Sequence, residues 1–166
     1  WGESYNVGMN DLVEVTIDAL KNGYTIAWGA DVSEKGFSFR NGIAIVPADP
    51  KSVEVVGKDE KNFNTAGAER KSNAFTEPSK ELKITQELRQ EAYDNKTTQD
   101  DHGMHITGLY KEANGTPFYL VKNSWGTGNQ PEGYLYVSQN YFKYKTINVY
   151  LHKDALPKDI RAKLKL

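Results

Sequence analysis

Four apolar runs crowd the last third of the chain: HGMHITGLY from residue 102, PFYLVKNSWG from 117, GYLYVS from 133 and KTINVYLH from 145. Each alternates apolar and polar residues and is rich in β-branched and aromatic side chains, the pattern of half-buried strands. The first two are joined by KEANGTP, in which Asn114-Gly115 is a hairpin turn signal. Consecutive strands joined by short turns pair antiparallel. The expected fold class is therefore α+β: an antiparallel β-sheet or partial barrel with flanking helices.

The earlier sequence supplies the flanking elements. MNDLVEVTIDALKNG predicts a helix, with Val13, Ile17 and Leu20 as its apolar stripe, Asn10 or Asp11 as cap and Gly23 just past its end. YTIAWG reads as a buried strand, and FSFRNGIAIVP as one extended piece stopped by Pro47 and Pro50. From about 49 to 80 the chain is polar, and a long excursion with little regular structure is expected. TQELRQEAYDN reads as a second helix, capped by Thr85 and buried through Leu88 and Ala92. LPKDIRAKLKL closes the chain as a short helix, with Pro157 in its first turn and Ile160 and Leu164 packed on the sheet. Trp1 and Trp28 read as core or interface aromatics. No linker divides residues 1–166.

In the strand reading His102 enters one strand of the hairpin and Asn123 leaves the next, so folding brings the two ends side by side. An Asn amide oxygen can accept one ring N–H of His102, which fixes the ring and leaves its other nitrogen to act on a thiol or hydroxyl. Trp125, two positions on, lies on the same strand face and can shield that bond from water. Asp100 and Asp101 place negative charge beside His102. His105, three positions on, points to the opposite face. An oriented histidine ordinarily serves a nucleophile, yet the chain holds no cysteine.

The composition narrows the function classes. A formal net charge of −1 gives no electrostatic reason to expect nucleic acid or an anionic membrane surface. No apolar run approaches the ~20 residues that span a bilayer, so a soluble chain is expected, cytoplasmic or exported by a leader upstream of Trp1. Zero cysteines exclude disulfides and thiolate metal sites within it. His102, His105 and His152 do not have the spacing of a zinc site, and neither a metal nor a cofactor is expected.

DHGMHITG followed by VKNSWGTG and EGYLYVS resembles the His and Asn motifs of papain-like cysteine peptidases. YTIAWGADVSEKGF, TQELRQEAYDNKTTQDDHGMH and YFKYKTINVYLHKDALPKDI are most similar to the bleomycin hydrolase or aminopeptidase C group. The resemblance covers most of the chain apart from about residues 50 to 80. It implies that His102 is the catalytic histidine, Asn123 the residue that orients it and Trp125 the tryptophan that shields them; Asp101 is expected in support through its charge. The family's cysteine and oxyanion-hole glutamine lie in an earlier, largely helical half. Residues 1–166 are accordingly expected to be the C-terminal, His/Asn-bearing portion, with the N-terminal half as partner and a peptide as substrate. A homo-oligomer is a further possibility that the resemblance carries. The alternative is a catalytically inactive fragment or pseudo-peptidase domain that serves as a binding module.

Overall fold

The computed structural model describes residues 3–56 and 69–166; Trp1, Gly2 and residues 57–68 of the polar excursion lie outside the described residues. The order of elements is α1 (Met9–Lys21), β1 (Ile26–Ala30), β2 (Phe37–Ser38), β3 (Ile43–Ala44), β4 (Glu54–Val56), β5 (Glu69–Lys71), α2 (Gln86–Asp94), β6 (His102–Lys111), β7 (Pro117–Lys122), β8 (Tyr134–Ser138), α3 (Gln139–Lys145), β9 (Thr146–Tyr150) and α4 (Lys158–Leu164). Seven strands form the main sheet in the order β2-β3-β8-β7-β6-β1-β9, and β4 and β5 form a separate antiparallel pair. The fold is α+β, as expected.

Strand parity places the core. Met104 and Ile106 of β6, Tyr119 and Val121 of β7, and Leu135 and Val137 of β8 are buried on one face of the sheet. Leu12 and Ala19 of α1 and Tyr141 and Phe142 of α3 join the same apolar cluster. Gly115 adopts a left-handed φ of 93° in the β6–β7 turn, the conformation that an Asn-Gly hairpin requires.

Several elements differ from expectation. The buried face of α1 is Met9, Leu12, Val15, Thr16 and Ala19; Val13, Ile17 and Leu20 are half-buried on its flank. Small Ala19 and Thr16 let the helix approach closely, while the larger residues cover the margins. The cap is Gly8, with no side-chain bond. The stretch 37–46 is not one extended piece. Phe37–Ser38 and Ile43–Ala44 pair antiparallel across a tight turn in which Gly42 has φ of 66°. β3 then pairs parallel to β8, so the sheet is not wholly antiparallel.

The excursion also holds more order than its composition suggests. The β4–β5 ladder is flanked by two short 3-10 turns, capped by Asp49 and Ser72. Val53 and Phe75 bury against Ile45 and Phe118 in a second apolar cluster. A few apolar residues in a polar stretch are enough to anchor it once the sheet offers them a surface.

Between β8 and β9 the chain forms α3, a helix that the sequence pattern does not predict. Ser138 starts it: its Oγ accepts from Tyr141 N at 3.0 Å and donates to Glu81 Oε2 at 2.6 Å. Burial raises the pKa of Glu81, so this donor matters. Ser138→Ala is expected to cost about 1–2 kcal/mol, the usual value of a lost N-cap, read as a lower urea midpoint at unchanged m-value. A loss below about 0.3 kcal/mol would deny the cap its role. At the chain's end, α4 buries Ile160 and half-buries Leu164, with Pro157 as its N-cap, one position before its first turn.

Candidate active site

β1 and β6 pair antiparallel, and their last matched residues are Ala30 and His102. β6 continues into β7 with His105 opposite Lys122. Asn123 and Trp125 follow the end of β7 at Lys122 rather than continuing the strand, and both side chains reach the His102 ring. His105 points away and bonds Thr25 Oγ1 at 2.8 Å.

His102 Nε2 lies 2.7 Å from Asn123 Oδ1. The same oxygen accepts Ser124 N–H at 2.7 Å. An amide oxygen that receives a backbone N–H can only accept from the ring, so Nε2 carries the proton and Nδ1 of the neutral ring holds a lone pair. Among the described residues Nδ1 has no hydrogen-bond partner. Asn123 is only 7% exposed, and its Nδ2 is a buried donor with no acceptor among the described residues.

Trp125 covers the pair. Its ring centroid is 4.7 Å from that of His102, tilted by 34°. Phe37 and Phe39 brace Trp125 edge-on, at 5.8 and 5.4 Å. An aromatic lid of this kind keeps water from competing for the His–Asn bond and lowers the local dielectric, which strengthens it. The two phenylalanines are not among the expected site residues; the β2–β3 turn, which the expectation of one extended piece leaves out, brings them to Trp125. Asn129, which is also buried, holds the loop after Trp125: its Oδ1 accepts Gly133 N–H and its Nδ2 donates to Tyr134 O.

Asp101 turns away from the ring. Its carboxylate accepts Val32 N–H at 2.9 Å and the Ser33 hydroxyl, which ties the approach of β6 to the exit of β1. Beside it Asp31, 3% exposed, accepts Ser33 N–H and Gln99 N–H, both at 3.0 Å. Burial raises the Asp31 pKa to about 6; the Gln99 amide and Lys145 pull it down, and Glu34 and Asp101 push it further up. A carboxyl whose folded pKa exceeds its unfolded value of ~3.9 binds its proton more readily in the native state. Its stabilising contribution is therefore complete below that unfolded value and is lost as pH rises through about 6. The unfolding free energy of the wild type, measured against Asp31→Asn, should move in favour of the wild type between pH 7 and 5. A flat difference would contradict the assignment.

Among the described residues no group of three or more His, Asp or Glu side chains could hold a metal ion, and no helix is long and apolar enough to cross a membrane. His102, His105 and His152 each have a different partner, Asn123, Thr25 and Tyr24 respectively.

Residues 60–166, which include His102, Asn123 and Trp125, match the model of the Peptidase C1-like family. This chain belongs to the Peptidase C1-like family. Among solved structures it is similar to PepW from Lactobacillus rhamnosis HN001, with 21% identity and a TM-score of 0.61 over 96% of this chain and 30% of that one. At that identity the likeness establishes the fold, and the family chain described here spans about 30% of PepW's length. Bromelain from Ananas comosus, solved with the E64 inhibitor, matches at 13% identity and a TM-score of 0.40 over 87% of this chain and 46% of its own. No curated protein matches the sequence.

Proposed function

We propose that this chain is the His/Asn-bearing, C-terminal part of a cysteine peptidase, nearest in kind to the aminopeptidase C or bleomycin hydrolase group. The carrying observation is the bond from His102 Nε2–H to Asn123 Oδ1 at 2.7 Å beneath Trp125, with Nδ1 left open. The family membership supports the same reading. A cysteine outside these residues presents its thiol to Nδ1. His102 takes the thiol proton, and the thiolate attacks the carbonyl carbon of a peptide. As the C–N bond breaks, the imidazolium returns that proton to the leaving amine. Water then attacks the thioester with His102 as base, releasing the acid and restoring the thiol. Asn123 holds the ring through both steps, and Trp125 with Phe37 and Phe39 shields the pair.

The absence of cysteine favours a second reading, in which the chain is an inactive binding module. The coding sequence upstream of Trp1 separates the two. A Gln followed a few residues later by Cys-Trp supports the peptidase; Ser or Gly in place of that Cys supports the module. The biochemical test uses an aminoacyl fluorogenic substrate. The whole protein should turn it over and lose activity to a thiol alkylator, while the 166-residue chain should be inert. Alkylator-resistant turnover by the short chain would sink the mechanism.

A further inference from the structure

The backbone ladder between β1 and β6 ends at Ala30 and His102. Beyond that point the two segments separate, and side chains replace main-chain bonds as the link between them. Asp31 occupies the junction. Its N–H donates to Lys145 O at 3.1 Å, and its carbonyl accepts the buried Tyr141 hydroxyl at 2.8 Å. Both side-chain oxygens are engaged as well, one by Ser33 N–H and the other by Gln99 N–H. Lys145 holds the same approach segment from the other side, donating to Thr97 O at 2.9 Å and Thr98 Oγ1 at 3.0 Å, and pairs with Glu34 at 2.5 Å.

We infer that Asp31 is a positioning residue for His102: its carboxylate anchors the Gln99 amide to α3 and so fixes where β6 begins and how the His102 ring meets Asn123. The inference rests on the proposed role of His102, but its test does not need catalysis. A strand shifted by a fraction of a residue at its first position tilts the first side chain most, and that side chain here is His102. The register of β1 against β9 shifts between Gly29 and Ala30, just before Asp31. Irregularities of that kind re-aim the side chains that follow them. Asp31 touches no reacting atom; it acts through Gln99 and the backbone. The charged and titratable groups that face it are Glu34, Lys145, Asp101 and Tyr141.

The experiment is NMR on the 166-residue chain at pH 7.5, following the His102 Nε2–H proton. In the wild type it should exchange slowly, because Asn123 accepts it and Trp125 covers it. In Asp31→Asn, which sets an amide against two N–H donors, it should exchange about tenfold faster or vanish, the scale of one lost hydrogen bond. The ring signals of His105 and His152 should not move. An unchanged His102 signal in a folded Asp31→Asn chain overturns the positioning role. Absence of the slow proton from the wild type overturns the His102–Asn123 reading itself, and the positioning role with it. Should the variant not fold, wild-type exchange decides. If release of the anchor frees His102, its Nε2–H is no better protected than the Gln99 amide; greater protection of His102 overturns the inference.

Discussion

Replacing His102 with alanine in the whole, cysteine-bearing protein is expected to lower kcat/KM by at least ~10²–10⁴-fold, the usual contribution of a positioned general acid–base. The loss follows from the double duty of one ring. In the proposed mechanism His102 Nδ1 takes the thiol proton, and the same imidazole protonates the leaving amine. Asn123→Ala should cost less, because it removes the acceptor at 2.7 Å but leaves the ring in place under Trp125. His105→Ala should be mild, since that ring faces Thr25 on the other side of the sheet. The check is steady-state kinetics on the three variants with equal folded fractions. An essential His105 beside a dispensable His102 would mean that the catalytic face has been misassigned.

The largest stability effect is expected at Trp28. It lies mid-strand in β1, 1% exposed, between Met104 of β6 and Val149 of β9. Its Nε1 donates to Thr146 Oγ1 at 2.8 Å, and its ring meets that of Phe142 at 6.0 Å. Trp28→Ala should cost about 3–5 kcal/mol from lost burial and the cavity left behind. Against a total stability of about 5–15 kcal/mol, that is a large share. Trp28→Phe should lose much less, because it keeps most of the volume; Thr146 stays satisfied by donating to Phe142 O. Urea unfolding measures both. A loss below about 1 kcal/mol for the alanine variant would show that the sheet does not depend on this side chain.

What could be read from sequence was whatever is periodic or local. The alternation in HGMHITGLY and PFYLVKNSWG, joined by Asn114-Gly115, defines β6, β7 and their turn, and the hairpin then brings His102 and Asn123 side by side. Thr85 reads as a cap, and it accepts Leu88 N–H. What could not be read depends on tertiary contact. QNYFKYK, with two tyrosines and a phenylalanine next to a strand, carries no helical signal strong enough to stand alone. It becomes α3 because Ser138 caps it and Tyr141 and Phe142 find the core. The parallel pairing of β3 with β8 joins segments far apart in sequence, which no local pattern encodes. The anchor at Asp31 is of the same kind: a lone Asp after a strand gives no hint that Gln99, Lys145 and Tyr141 converge on it.

The strand order has a consequence for where this molecule can be cut. The family match begins at residue 60, yet β1, β2 and β3 lie before it, and β1 sits between β6 and β9. A fragment holding only 60–166 would lose the neighbour on one side of the histidine strand and leave β9 with no partner in the sheet. Met104 and Ile106 would face water, and β6 would become a long open edge, the template on which sheets of separate chains join. The boundary of the family match therefore cuts through the main sheet. β1, which precedes the matched region, covers the edge of the strand that carries His102.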